Sequence, residues 1–402
     1  MSIGSKMNRI QYVFLLLLIT SCVFDPADRI IHMKLPLFAA CWALTIIDIF
    51  VAERRIILPW KMLIYICSVL SIPLLSIAYY TLFIGNAPYD GLQYLKSYLF
   101  ITIIIVLIIL NIDIVKPLCV ILTVLSCMII IIMLITYNNP QILLSLDVLG
   151  EYYGNLRFSR AQYGPLVMHR IFYTTSPMIA ISIAYYVFMS ITQAGKRKWF
   201  ILLSAINIFA MILSGTRANI IMAVCLPLII MVLFSKQNKL LLVAVIIGGF
   251  FISALVGDVV KAMFNPEEYS NLIKITHVYD YMRIFAEPTD LLFGQGVGSY
   301  YYWSGFGGTA SITELTYFEL FRNYGLIGGT VLLVLLLYPI FSIKLKYGAS
   351  NTCILIGYAG YLVICSSNPL LFSSTGMLTL SAVIARLFLD HNQKEKNLTL
   401  IK

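Results

Sequence analysis

The stretch WFILLSAINIFAMILSGTRANIIMAVCLPLIIMVLF, residues 199–234, decides how the chain is read. Two apolar runs, Trp199 to Leu213 and Ile220 to Phe234, flank a tight Ser-Gly-Thr-Arg-Ala-Asn turn. Each run is about 15 residues, or ~22 Å of helix against a ~30 Å hydrocarbon core, so a hairpin of this length leaves its tip below the membrane surface. Gly215 permits the turn, while Ser214, Thr216 and Asn219 can satisfy the freed peptide groups. Arg217 is then a permanent cation in a shallow recess, where it must snorkel upward or find an anion. The anion natural to that depth is a lipid phosphate, which a guanidinium binds two oxygens at a time. An arginine that only anchors the tip among headgroups is the plainer reading.

The composition agrees with a membrane-embedded chain. Of 402 residues, 60% are hydrophobic and 11% charged, and the mean hydropathy is +0.91. That leaves too little polar surface to cover a soluble core. The formal charge of +10 does not point to nucleic acid, because the basic residues cluster between apolar runs as membrane orientation requires. Eight cysteines (Cys22, Cys41, Cys67, Cys119, Cys127, Cys225, Cys353, Cys365) fall inside or at the edge of apolar runs without a C-x-x-C pair, so neither a disulfide framework nor a metal site is indicated. Lys6 and Arg9 before residues 10–24 resemble a signal sequence, but without a small-residue cleavage site they read as a retained first helix.

The expected fold is an all-α polytopic membrane protein, a single transmembrane domain over 1–402 with about twelve spans. Their cores lie near 10–24, 35–51, 57–84, 98–114, 118–136, 171–191, 199–213, 220–234, 240–257, 325–341, 352–366 and 370–389. With a cytoplasmic N-terminus, the inner connections carry Arg54, Arg55, Lys116, Lys196, Arg197, Lys198, Lys236, Lys239, Lys344 and Lys346, and the tail Lys394 and Lys396. The short outer connections carry only Arg29, Lys34, Lys96 and Arg217. The positive-inside bias thus predicts both termini in the cytoplasm. Two large hydrophilic segments, 137–170 and 258–324, then face outward, and any chemistry is external. A merely solvated, mixed-charge loop is the competing account.

The second of these segments continues into the next span as RIFAEPTDLLFGQGVGSYYYWSGFGGTASITELTYFELFRNYGLIGG, residues 283–329. Its GQGVGS piece is no nucleotide loop, since no strand precedes it and no lysine follows at the required place. Its glycines suit close backbone approach, and Tyr300, Tyr301, Tyr302, Trp303 and Phe306 offer aromatic faces, either for an interfacial belt or for sugar stacking. Ser311 to Glu314 fits a capping box, predicting a helix over about 312–323 in which Glu319 can pair with Arg322, with Gly325 as its stop. Glu314 therefore has a structural explanation. It also sits on a short helix beside the membrane, where a general base for lipid-linked chemistry is needed.

LSGTRANIIMAV, LLFGQGVGSYYY and TELTYFELFRNYGLIGG together resemble the O-antigen polymerase and O-antigen ligase superfamily, over nearly the whole chain in architecture but only about 50 to 60 residues in motif. The resemblance implies a glycosyltransferase architecture of the membrane-embedded GT-C-like type, independent of metal and cofactor. The donor would be a glycan on undecaprenyl diphosphate, and the site would lie at the outer face of a bacterial inner membrane. It implies that Arg217 binds diphosphate and that Arg283, followed by ten residues and then Gly294 in the Arg-x10-Gly pattern of the polymerases, assists it. In the first loop Arg157, Arg160 and Arg170 lack glycine at the matching place. Glu314 stands where the ligases carry histidine, which favours a polymerase.

On this expectation Glu314, Arg217 and Arg283 are catalytic, and Arg157, Arg160, His169, Arg170, Tyr301 and Arg322 bind substrate. The partners are lipid-linked oligosaccharides, the bilayer, a chain-length regulator and a flippase, with no nucleic acid. Two alternatives remain: a ligase of the same superfamily, which differs by acceptor, and a lipid-linked oligosaccharide flippase. A flippase should show ionisable residues at mid-membrane and related halves. Here only Asp48, Lys61 and Asp113 touch the apolar runs, and no internal repeat is evident.

Overall fold

The structure is a computed structural model. It describes residues 3–51, 58–83, 85, 88–137, 139–154, 156–163, 166–234, 261, 265–305, 307–341 and 348–400. The expected span 240–257 lies outside the described residues. Each of the other eleven expected runs overlaps a helix, the one at 171–191 only from Ile179 on. These are α1 (Ile3–Phe24), α2 (Lys34–Val51), α3 (Trp60–Phe83), α4 (Pro88–Leu99) running through a 3-10 turn into α5 (Ile103–Leu110), α6 (Val115–Tyr137), α8 (Ile179–Thr192), α9 (Arg197–Leu213), α10 (Arg217–Phe234), α13 (Thr316–Phe341), α14 (Ala349–Cys365) and α15 (Ser374–Leu400). Further helices among the described residues include α7 (Pro140–Tyr153), α11 (Tyr269–Phe285) and α12 (Pro288–Phe293).

By length and composition, six described helical segments can cross a membrane: Lys34–Val51, Trp60–Phe83, Gly91–Leu110, Val115–Tyr137, Arg217–Phe234 and Thr316–Phe341. The segments Ser176–Thr192 and Ala194–Leu213, bent by 116°, make a seventh if they form one span. The twelve-span expectation counted these two separately. Side chains such as Phe50, Leu82, Leu134 and Phe341 stand exposed on these helices, which suits a lipid-facing surface and not an aqueous one.

The short helix α8 is the hub. It is apolar nearly all round, with Ile179 to Ala184 and Tyr186 to Phe188 buried, and a helix of that kind has to be covered on every side. It packs on α6, α9, α10 and α14. Small residues let the backbones close in, for a Cβ on Gly357 of α14 would lie 2.8 Å from Ala184. One polar cluster fixes the register. Asn207 Oδ1 accepts from Ser126 Oγ at 3.0 Å and Ser182 Oγ at 2.7 Å, and its Nδ2 donates to Thr123 Oγ1 at 3.0 Å, tying α6, α8 and α9.

The fold is not purely helical. The first large loop, expected over 137–170, holds α7 and then an antiparallel hairpin, β1 (Leu156–Tyr163) and β2 (Leu166–Tyr173). The hairpin carries extended chain past the expected start of the next span at 171 and buries Phe158, Ile171 and Tyr173. A second small hairpin, β3 (Tyr301–Trp303) with β4 (Gly308–Ala310), lies in the other loop. There Trp303, Tyr281 and Ile284 form a separate apolar core.

The helix expected over 312–323 begins at Thr316 instead. Ser311 and Glu314 do not form its capping box. Glu319, one turn into α13, reaches back and takes the Thr313 N–H at 3.0 Å. At Gly325 (φ 64) the helix breaks, with Leu292 and Phe293 backbone so close that no side chain would fit. The glycine loop expected to allow close approach wedges here against α3. A Cβ on Gly296 would lie 2.5 Å from Tyr80, and the Val297 N–H donates to Ser76 Oγ at 3.1 Å.

Candidate functional site

At the end of the bundle bearing both hairpins, five segments enclose one cavity of about 660 Å³, a size ordinary for small-ligand sites. The first hairpin supplies Arg157, Ser159, Arg170 and Phe172. Cross-strand register sets Arg157 opposite Phe172 and Ser159 opposite Arg170, so period-two alternation puts all four in one set. The α9–α10 turn adds Ser214, Thr216 and Arg217, and α11 adds Ser270 and Lys274, one helical turn apart on one face. The segment before α13 adds Thr313 and Glu314. The end of α14, with Ile364, and the connection after it, with Ser367, Asn368 and Pro369, close the space.

The turn works as its residue types dictate. Gly215 has φ 68, Ser214 Oγ donates to the Met211 carbonyl at 2.6 Å, and Thr216 Oγ1 accepts from the Asn219 N–H at 3.3 Å at the head of α10. Asn219 Nδ2 donates to Ser214 Oγ at 2.5 Å and Ser176 Oγ at 3.1 Å, fastening the turn to the entry of α8. Gly215 has a second reason to be glycine: a Cβ there would overlap the Arg170 side chain. The arginine of β2 lies across the turn that carries Arg217.

The cations differ in their partners. Arg217 donates to Glu268 and to Asn271 Oδ1, with the Arg217 and Glu268 side chains 17% and 31% exposed. Glu268 also caps α11, accepting the Asn271 N–H at 3.3 Å. Lys274 Nζ stands 4.0 Å from Glu314 Oε2. Among the described residues no carboxylate pairs with Arg157 or Arg170, and the Arg170 Nε is buried without a hydrogen-bond partner. Four cations and one carboxylate thus line a single recess, one cation holding a buried, unsatisfied donor.

Four of the residues expected from sequence, Arg157, Arg170, Arg217 and Glu314, share this cavity. Arg283, Tyr301 and Arg322 do not line it. The Arg283 side chain is 73% exposed, with Asp280 Oδ1 3.9 Å away. Tyr301 lies in β3, its ring edge-on to Trp303 at 5.3 Å. Arg322 is fully buried. It donates to Glu319 Oε2 at 3.0 and 2.9 Å, to Ser299 Oγ at 2.6 Å and to the Ser311 carbonyl at 2.7 Å, leaving nothing for a substrate. Arg160 and His169 pair with each other in the hairpin register, and their side chains lie outside the described residues.

Sequence reasoning missed Ser270, Lys274, Glu268 and Asn368. The helix carrying the first two was legible as an acidic cap, Glu267-Glu268, before a mixed apolar run. Nothing local marks Asn368. Among the described residues no group of three His, Cys, Asp or Glu could hold a metal ion.

Beneath Glu314 the second loop is rigidly tied. Glu319 Oε1 accepts from Tyr281 OH at 2.7 Å as well as from the Thr313 N–H. Burial, aided by the Glu319 charge, pushes the Tyr281 phenol up, so it remains a donor. His277 lies buried, edge-on to Trp303 at 5.4 Å. Burial lowers its pKa against the opposing pull of Asp280, Glu314 and Glu319.

Compared with models of known protein families the chain matches none, and no curated protein matches it.

Proposed function

We propose that this chain is a membrane glycosyltransferase that polymerises O-antigen or related polysaccharide repeat units at the periplasmic side of a bacterial inner membrane. In this reading the chain crosses about twelve times with both termini cytoplasmic. The cavity takes the diphosphate of an undecaprenyl-diphosphate-linked glycan. The observation that carries the reading is Arg170: a guanidinium with a buried, unsatisfied Nε and no carboxylate partner among the described residues, in one recess with Arg157, Arg217, Lys274 and Glu314. A buried unpartnered donor of this charge calls for an anion, and a planar fork binds phosphate oxygens in pairs.

The chemistry then follows. A hydroxyl of the acceptor repeat unit attacks the anomeric carbon of the donor glycan. The bond from that carbon to the phosphate oxygen breaks, and the diphosphate leaves with the electron pair. Glu314 receives the hydroxyl proton. The fixed cations stabilise the charge gathering on the leaving group, where each such donor is typically worth ~3 to 4 kcal/mol of barrier. Arg217, already held by Glu268, is oriented rather than free. Arg283, placed with the catalytic residues on sequence grounds, has no role in this scheme.

The test is the chain-length ladder of surface polysaccharide in a deletion strain carrying variants shown to be made and inserted. Arg170→Ala and Glu314→Gln should leave lipopolysaccharide capped with single units. Full ladders from both would defeat the assignment. Loss of even single-unit caps in the deletion strain would point to a ligase, and cytoplasmic accumulation of lipid-linked units to a flippase.

A further inference from the structure

The cavity has two kinds of wall. The hairpin, the α9–α10 turn and α11 bring its cations, whereas the end of α14 and the α14–α15 connection bring no charge at all, only Ile364 from the helix and Ser367, Asn368 and Pro369 after it. Asn368 is 5% exposed, and its backbone is fully engaged. Its N–H donates to the Cys365 carbonyl at 3.3 Å, and its own carbonyl accepts from Leu370 N–H and Thr316 Oγ1, both at 2.8 Å. Its side-chain amide makes no hydrogen bond among the described residues, while the residue lines the cavity. The residue is buried, yet its amide opens onto the cavity, where two donors and an acceptor are offered to a ligand.

We infer that Asn368 is a sugar-binding residue of this cavity, its amide hydrogen-bonding the hydroxyl or acetamido groups of the acceptor glycan beside Glu314. The inference rests on the glycosyltransferase reading and adds to it the wall on which the sugar lies. An amide carries two donors and an acceptor, which matches the mixed pattern of a sugar and not the acceptor-only oxygens of a diphosphate. Ile364 and Pro369 give an apolar surface for the C–H face of a pyranose. Position agrees, because the Thr316 N–H donates to the Ser366 carbonyl at 3.2 Å and its hydroxyl to the Asn368 carbonyl. These two bonds fasten the connection to the chain two residues beyond Glu314, so the amide and the base share one fixed frame.

The experiment uses the full chain in lipid nanodiscs, with lipid-linked repeat units extracted from the deletion strain as substrate and sugar-free undecaprenyl diphosphate as a binding probe. Asn368→Ala should raise KM for the repeat unit about tenfold or more, the worth of a hydrogen bond to a buried polar group. Binding of the sugar-free probe should stay within about twofold. Asn368→Gln should recover part of the loss. The bonds to Thr316 use backbone atoms, so the alanine variant keeps them, and an unchanged thermal midpoint verifies this. An unchanged KM, or an equal loss of probe binding, would overturn the inference while leaving the enzyme reading intact. A wild-type chain that elongates nothing and binds no probe would remove that reading, and the role of Asn368 with it.

Discussion

A Cβ on Gly215 would overlap the Cβ, Cγ and Cδ of Arg170: the turn's glycine is the seat on which the hairpin's arginine rests. Gly215 is also at φ 68, where a Cβ costs about 1–2 kcal/mol. Gly215→Ala should therefore act on Arg170 as well as on the turn, shortening polysaccharide chains as severely as Arg170→Ala does. Immunoblotting of membrane fractions controls for insertion. Ladders of normal length from an inserted Gly215→Ala protein would break the link.

Arg217 and Glu268 form the second relationship to be tested. If the guanidinium serves an anion, Arg217→Ala should lower elongation about a hundredfold or more. Glu268→Gln should keep activity within several-fold, because the amide can still accept a bond and the cation is freed for substrate. Equal losses in the two variants would show that the pair is only a brace.

The Glu319–Arg322 pair is buried on both sides, with 5% and 0% of the side chains exposed, and it holds Ser311 and Thr313 just before Glu314. Removing one partner of such a pair typically costs about 3–5 kcal/mol. Arg322→Ala should lower the thermal midpoint of the detergent-solubilised protein sharply. Glu319→Leu with Arg322→Met should cost less than the sum of the single changes, since no uncompensated charge is left. Additive losses would speak against coupling.

His277 gives a pH dependence of defined sign. Its folded pKa lies below the ordinary 6.5, so the unfolded chain binds a proton first as pH falls. The contribution of the neutral ring is intact above about pH 6.5 and fades as pH drops toward the lower folded value. Thermal midpoints at about pH 7.5 and 5.5 should differ less in His277→Gln than in the parent protein. An identical pH response in both would exclude His277 as the source.

Orientation is checked with one added cysteine at a time in a background with Cys67, Cys127 and Cys225 changed to serine, because these three are the native cysteines that are not buried. Thr216→Cys should react with an impermeant maleimide added outside the cell, and Lys198→Cys only after permeabilisation. The reverse pattern would put the cavity on the wrong side for a periplasmic polymerase.

Much of the molecule was legible locally. Gly215 and Gly325 were readable as breaks because glycine alone is comfortable at the φ values found there. The Glu319–Arg322 pair followed from i, i+3 spacing. The hairpin at 156–173 was overlooked although Gly164-Pro165 is a turn signal between alternating runs. Its few residues were outweighed by the helical character of everything around them. Ser311-x-x-Glu314 misled because the helix begins only at Thr316, and the side chain that reaches back from its first turn is Glu319, which takes the Thr313 N–H.

Sequence by itself determined a predominantly helical chain with runs long and apolar enough to cross a membrane and a cation at the turn between two of them, because apolar length, charge placement and turn chemistry are properties of neighbouring residues. Tertiary structure alone decided which cations act together. It seated Arg170 on Gly215, matched Arg217 with Glu268, enclosed Arg322 in the loop and opened Asn368 to the cavity. The physical reason is that counter-ions and burial are set by packing between segments distant in the chain, and no spacing rule along it encodes which side chain is left without a partner.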